Sequence, residues 1–353
     1  MNQNITIVQI AKESGVSIAT VSRVLSGNVP VSPKTRARVE EVIRKYNYTP
    51  NPLAQGLILR QSKTLGIVIP DITNPYFSTL FRVIERAAHD AHYSVLLCNT
   101  SFSATSYMRG EHETEENYFQ MVLDKKVDGV IVAGGQIDLC SISENYIKVL
   151  KQLASSVPVV VIGQKIPDIP CMFVNKEHEK GIVIAIRYLA GLGHKRIGFV
   201  GGERGVVITE SRLRFYRSTI EQMGLDMDED LISTSDYYLP DGYSATQKLL
   251  ELEQPPTALL AMNDNVAIGA VRALTDYCLS VPDDIALISC DQFLDGNYLT
   301  PRLTSLDRHT EDLGLYVIRL LLSMIQKTQP PEAPDLDPDL IIRESSGKSL
   351  IKK

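Results

Sequence analysis

No apolar run in this chain approaches the roughly 18 residues needed to cross a bilayer, and no basic leader with an apolar stretch and cleavage site opens it. The expected location is therefore the cytoplasm. The five cysteines (Cys98, Cys140, Cys171, Cys278, Cys290) are scattered, with no Cys-x-x-Cys and no neighbouring His pair at metal-ligand spacing. That excludes a disulfide framework and argues against structural metal. The glycine run Gly201-Gly-Glu-Arg-Gly205 lacks the spacing that cradles phosphates, and no set of nucleophile, base and orienter is readable. Neither a cofactor nor an enzymatic reaction is expected. Internal repeats are absent, and Thr328 to Pro338, rich in Pro and Asp, reads as a loop. The apolar share of 44% and charged share of 22% are ordinary for soluble globular proteins, so composition names no function.

The distribution of charge says more than its total of −6. Residues 1–62 carry eight basic side chains (Lys12, Arg23, Lys34, Arg36, Arg38, Arg44, Lys45, Arg60) against three acidic ones (Glu13, Glu40, Glu41), which leaves the remainder strongly acidic. A basic head on an acidic body points to a polyanionic partner, the alternative being a solvated surface without one. At 353 residues the chain should form two or three folding units.

Within the head, apolar residues recur at helical spacing: Ile7, Ile10, Ala11; then Val21, Val24, Leu25; then Val39, Val42, Ile43, Tyr46. Thr6, Ser17 and Ser32 suit N-caps, Pro33 suits a first helical position, and Gly15 suits the turn between the first two helices. Leu53 to Leu59, behind an Asn51 cap and weakened by Gly56, reads as a short additional helix. Beyond Lys63, strand-like runs alternate with helical stretches, as in a parallel sheet covered by helices. The expected strands are Leu65 to Ile69, Ser94 to Cys98, Val127 to Val132, Val157 to Ile162, Arg196 to Val200, Ala258 to Met262 and Ile285 to Cys290. Ligands collect at the carboxyl ends of such strands, which singles out the loops at 70–74, 201–212, 263–265 and Asp291.

The first two helices form a helix-turn-helix pattern. A recognition helix in the major groove needs small or short polar side chains at its start so that the backbone can approach base edges. Ser17, Ile18, Ala19, Thr20, Ser22 and Arg23 supply them: the hydroxyls suit phosphates, Arg23 suits guanine O6 and N7, and Ile18 and Ala19 suit thymine methyls or shape alone. A helical pair used only for packing is the competing interpretation.

At Ala19-Thr-Val-Ser-Arg-Val-Leu25, Val31-Ser-Pro-Lys-Thr-Arg36 and Tyr48-Thr-Pro-Asn-Pro52 the chain resembles the lactose- and galactose-repressor family of bacterial transcription regulators. The resemblance continues through Leu65-Gly-Ile-Val-Ile-Pro-Asp-Ile-Thr-Asn-Pro-Tyr-Phe77, Val127-Asp-Gly-Val-Ile-Val132, Leu192-Gly-His-Lys-Arg-Ile-Gly198, Val281-Pro-Asp-Asp284 and Thr300-Pro-Arg-Leu-Thr304. It implies an α/β protein: a helix-turn-helix head (1–48), a hinge helix and linker (49–62), and a periplasmic-binding-protein-like body (63–343) of two parallel-sheet lobes, followed by a tail (344–353). One lobe would comprise about 63–162 plus 294–324 and the other about 163–293 plus 325–343, with chain crossings near Gly163, Asp291 and Ile325.

The resemblance also implies a repressor that binds a palindromic operator as a homodimer, its affinity set by a small polar effector such as a sugar. It adds Ile7, Ser32, Thr35 and Tyr48 to the DNA-contacting set, places Asn51, Ala54 and Gln55 near the minor groove, and makes Leu57 a wedge into a base step. Effector contacts would come from Asn74, Phe77, Arg212, Tyr237, Asn263 and Asp291, each of which has an internal structural role as its alternative. The chain departs from the family pattern in a longer segment at 99–116, in Gly163 where an acidic residue is common, and in Asn175 where Asp is common. Without a leucine heptad tail, a dimer rather than a tetramer is expected. A solute receptor built on the same body, and an enzyme, are the competing functional classes.

Overall fold

The computed structural model describes residues 5–26, 30–46, 48, 61–103, 115–175, 179–292 and 295–347. The chain divides into two compact units, Met1–Lys63 and Thr64–Lys353.

In the first unit, helices α1 (Ile7–Ser14), α2 (Ile18–Ser26) and α3 (Pro33–Tyr46) follow the apolar spacing of the sequence. Ile10, Val21 and Val39, one from each helix, are fully buried against one another with Ala11 and Val24. Two of the three expected caps form: the Ser17 hydroxyl accepts from the Thr20 N–H at 3.2 Å, and Ser32 accepts from the Thr35 N–H at 3.3 Å, whereas at Thr6 the backbone N–H donates to Gln9 Oε1 at 3.1 Å and the hydroxyl makes no cap hydrogen bond. Gly15 ends α1 in the left-handed region at φ 62°, where a side chain would be strained, and turns the chain towards α2. Glu13 ties α1 to α3 by accepting from the Tyr46 hydroxyl at 2.7 Å and pairing with Lys45.

The second unit holds two sheets. Strands β1 (Thr64–Ile69), β2 (Ser94–Asn99), β3 (Gly129–Ala133), β4 (Val159–Ile162) and β5 (Met172–Val174) form the first, in the order β2-β1-β3-β4-β5, all parallel. Both faces are covered, so its central strands read as unbroken apolar runs. Leu65, Ile67 and Ile69 face α4 (Pro75–Asp90) and α11 (Thr310–Gln326); Val68, Val130 and Val132 face α5 (Glu115–Asp124) and α6 (Glu144–Ser156).

The second sheet has the order β11-β10-β9-β8-β6-β7, built from β6 (Ile197–Val200), β7 (Ile232–Ser233), β8 (Ala258–Ala261), β9 (Ala286–Ser289), β10 (Thr304–Asp307) and β11 (Asp339–Ile341). Only β11 runs antiparallel. Helices α7 (Glu179–Leu192), α8 (Val207–Gln222), α9 (Leu239–Leu250) and α10 (Asp264–Asp276) pack around a core that includes Ile186, Phe199, Tyr216, Leu249, Leu260 and Leu274.

The strand ladder moves the lobe boundaries expected from sequence. After Ile162 the chain returns as β5, whose Met172 to Val174 pair with Val160 to Ile162, and the Gly163 N–H extends the ladder onto Val174 O at 3.1 Å. The first crossing therefore follows Asn175 rather than Gly163. The second follows β10, which pairs beside β9 in the second sheet, so 294–324 does not belong to the first lobe as a block. Only from Thr310, where α11 begins, does the chain rejoin the first lobe's core; it leaves again between α11 and β11. Residues 344–347 are no tail either. Ser345 and Ser346 are fully buried, the Ser345 hydroxyl accepting from the Thr304 N–H at 2.8 Å and donating to Leu287 O at 2.7 Å.

Candidate DNA-reading face and effector pocket

With Val21 and Val24 committed to the head core, α2 turns Ser17, Ile18, Ala19 and Arg23 to solvent, and Thr20 and Ser22 lie half-buried beside them. Ile18 is 46% exposed, which burial alone would not choose for an apolar side chain. Ser32 is exposed beside Thr35 at the start of α3, its hydroxyl donating to that of Thr35 at 2.8 Å. Ile7 and Tyr48 are half-buried and pack on the head core, and the more exposed apolar residue at the start of α1 is Val8. Asn51, Ala54, Gln55 and Leu57 lie outside the described residues.

In the body, strand ends of both sheets surround a cavity of about 420 Å3. Asn74, Phe77, Tyr237, Asn263 and Asp291 line it, as expected. Asn74 also caps α4, accepting from the Tyr76 N–H at 3.0 Å. Asn263 is committed at both ends of its amide: Oδ1 accepts from the Val266 N–H at 2.9 Å and Nδ2 donates to Tyr237 O at 3.1 Å. It holds the Tyr237 backbone in place while the Tyr237 hydroxyl pairs with Thr209 Oγ1 at 3.0 Å.

Arg212 does not line the cavity. It lies fully buried behind the wall, where both prongs of its guanidinium fork donate to Asp291 at 2.8 and 2.9 Å and Nη1 also donates to Met262 O at 2.5 Å. Among the described lining residues, the basic side chain is Arg308, whose Nε lies 3.5 Å from Asp291 Oδ1. Burial, and then the neighbouring Arg212, pull its pKa down to about 10. One carboxylate thus compensates two buried guanidiniums. Arg308 follows β10, a strand too polar to be read from sequence, so strand-end logic did not reach it.

Sequence reasoning also missed the acidic groups of the wall. Asp71, Asp138, Glu203 and Asp236 line the cavity. Burial raises Asp138 to about 7, and burial followed by the repulsion of Glu203 raises Asp236 to about 6. Asp71 and Glu203 lie in loops marked by strand-end logic, and Asp236 is next to the Tyr237 chosen from the same motif. Asp138 is held by the turn Gly134-Gly135, where φ is 73° and 76°; a Cβ on Gly135 would collide with the Glu115 carboxylate.

The lobes touch across the cavity mouth. Tyr238, at the start of α9, donates its hydroxyl to Asp71 Oδ2. Burial raises the Asp71 pKa, but donation from Tyr238 and Thr73 outweighs it and the net shift is downward. Leu139 and Val206 form an antiparallel bridge, and the Cys140 N–H donates to Gly205 O at 2.9 Å.

A helix-turn-helix and, in the same chain, a two-lobed, strand-end pocket define the class of ligand-responsive DNA-binding regulators. Residues 6–51 match the model of bacterial regulatory proteins of the lacI family, and residues 186–346 match that of a periplasmic binding protein-like domain. Catabolite control protein A of Priestia megaterium is 33% identical over 327 residues, 92% of this chain and 93% of that protein. The HTH-type transcriptional repressor PurR of Mannheimia succiniciproducens is 30% identical, covering 97% of this chain and 99% of that one. The chain belongs to the LacI family of bacterial transcription regulators. Among solved structures, the lac repressor dimer bound to operator and the anti-inducer ONPF matches with a TM-score of 0.83 at 25% identity over 98% of this chain and 100% of that one. A LacI-family regulator of Enterococcus faecium with bound ribose matches with a TM-score of 0.67 at 27% identity over 81% of this chain and 99% of that one.

Proposed function

We propose that this chain is a repressor that binds a two-fold symmetric operator as a homodimer in the cytoplasm and releases or tightens its hold when a small polar effector enters the cavity between its lobes. The observation that carries this reading is the cavity itself, walled by both lobes and bridged across its mouth by the Asp71–Tyr238 hydrogen bond and the Leu139–Val206 bridge. A ligand there has different contacts in open and closed states, which is the condition for shifting a population. Phe77 and Tyr237 offer aromatic faces to a ring; Arg308 and the carboxylates offer polar partners. Arg212 positions Asp291 instead of touching the effector. In the head, Ser17, Ile18, Ala19, Thr20, Ser22 and Arg23 read the major groove, with Ser32 and Thr35 on phosphates, and the segment at 49–62 carries the minor-groove wedge on Leu57.

Turnover is the weaker reading of the cavity. No His, Cys or Lys is among its described lining residues. Replacing Tyr238 with Phe tests the coupling. Loss of one interlobe hydrogen bond, about 1 kcal/mol, changes operator affinity of the ligand-free protein by about fivefold. Unchanged affinity together with unchanged effector response would refute the mechanism.

A further inference from the structure

Asp138 closes the short turn Gly135–Asp138 and lines the cavity from the first lobe. The chain is pinned on both sides of it: the Gln164 amide donates to Ile137 O at 3.0 Å and to Leu139 O at 2.6 Å. Gly163 leaves the adjoining wall bare. A Cβ there would lie 3.1 Å from Asp138 Oδ1, so the carboxyl covers the face that a side chain at 163 would occupy. Other aspartates of the cavity are satisfied internally: Asp71 accepts from Tyr238 and Thr73, Asp236 from the Tyr237 N–H, and Asp291 from Arg212. No described residue donates to the Asp138 carboxyl. The titratable groups that face it are Tyr76 of α4, Glu115 of α5 and Tyr146 of α6, and none of them supplies a cation. Burial without compensation therefore holds the Asp138 proton on up to about pH 7, as it does that of Glu115, behind the turn, up to about 8. An enclosed carboxyl without a donor is a standing cost to the fold, and a ligand in the cavity is placed to remove it.

We propose that Asp138 is a direct effector contact, accepting hydrogen bonds from adjacent hydroxyls of a neutral polyhydroxyl ligand and releasing its proton to solvent as the ligand seats. This rests on reading the cavity as the effector site. A carboxylate has two acceptor oxygens, which match the two donors of a vicinal diol. Hydrogen bonds to the ionised form favour that form, so the ligand draws the carboxyl back towards its ordinary pKa. The sign follows: the ligand binds the ionised carboxyl better, so affinity rises with pH up to about 7 and is level above. A ligand that presents a carbonyl or carboxylate would accept from the protonated group instead, and its affinity would fall over the same interval. Asp236, raised to about 6, titrates in the same cavity, so its share is separated by substitution.

The test is calorimetric titration of the full chain with D-ribose, D-glucose, D-galactose, D-mannitol and maltose, and with D-glucuronate as an acidic counterpart, from about pH 5.5 to about pH 7.5. At least one neutral probe should bind, about tenfold or more tightly at the upper pH than at the lower. Buffers of different ionisation enthalpy should report the release of most of one proton at about pH 6. Asp138→Asn should flatten the pH dependence and abolish that release, whereas Asp236→Asn should keep most of both. Phe77→Leu, on the same wall, should weaken binding without changing the proton count. The proposal is overturned if no neutral probe binds, if glucuronate binds as tightly as its neutral counterparts, if affinity falls as pH rises, or if Asp138→Asn still releases the proton. The parent's proton count decides independently of any variant. Binding that responds to Phe77→Leu alone counts only against Asp138; binding that responds to neither substitution counts against the cavity as the effector site.

Discussion

Replacing Asp291 with Asn is the perturbation whose cost the structure defines best. Arg212 is fully buried and Arg308 is 5% exposed, and Asp291 is the carboxylate that both approach, at 2.8 and 2.9 Å for the two prongs of Arg212 and 3.5 Å for Arg308. The amide keeps the shape but removes the charge, leaving two guanidiniums facing each other in a wall that already lowers the pKa of Arg308 to about 10. Breaking a buried pair by removing one partner costs about 3–5 kcal/mol, because the remaining charge is left unpaired. For a body of this size that corresponds to a drop in melting temperature of about 6–12 °C. A second substitution separates charge from packing: with Arg212→Met added, one of the two stranded cations is gone, so the double variant should be less destabilised than the two single effects summed, by about 1–3 kcal/mol. Calorimetry or circular dichroism melts of the four proteins close the cycle. An Asp291→Asn variant melting within about 2 °C of the parent, or strictly additive effects, would refute the view that this carboxylate neutralises both arginines.

Two further outcomes follow from the pocket wall. Asp138 has a pKa of about 7 in the folded chain, against an ordinary 3.8. The unfolded chain loses that proton first, so stability falls as pH rises from about 4 to about 7 and is level above; the total is about 2–4 kcal/mol. Asp138→Asn should make the slope shallower in melts collected across the interval, Glu115 and Asp236 supplying the rest, and an unchanged slope would count against burial as the cause. Gly135→Ala meets both a positive φ of 76° and the Glu115 carboxylate, so it should destabilise by about 2 kcal/mol or more in urea titrations, whereas Gly191→Ala, with open space around it, should not.

The sequence conveyed most where local physics decides. The three head helices were legible because their apolar spacing, caps and turn glycine all lie within a few residues of one another. Strands β1, β3, β4, β6, β8 and β9 were legible because a parallel strand buried on both faces is an apolar run, and the edge strand β2 because its Val95-Leu-Leu-Cys98 is apolar though only partly buried. The remaining strands carry no such signal. In β10, Thr-Ser-Leu-Asp, the fully buried Thr304 and nearly buried Ser305 are tolerated because the Ser345 and Ser346 hydroxyls and the Arg343 side chain satisfy them from some 40 residues away. β5 and β7 are two or three residues long. With β5 and β10 absent from the expected strands, the first two lobe crossings were displaced and Arg308 stayed hidden. In the pocket, the residues expected from sequence were those of the right type at strand ends. Arg212 could not be separated from a ligand contact because its partner Asp291 lies 79 positions away. The acidic mouth is formed by two lobes meeting, which no local pattern encodes.

The central claim, that the basic head reads a symmetric site on DNA, is tested most directly by selecting bound duplexes from a random pool with the full chain, then titrating the enriched sequence at several salt concentrations with the parent and with Arg23→Ala. The account predicts a two-fold symmetric consensus, affinity that falls steeply with salt, and a loss of about 1–3 kcal/mol on removing Arg23 that is confined to one position in each half-site. An unsymmetrical or absent consensus, or an Arg23→Ala variant that binds the selected duplex as tightly as the parent, would contradict it.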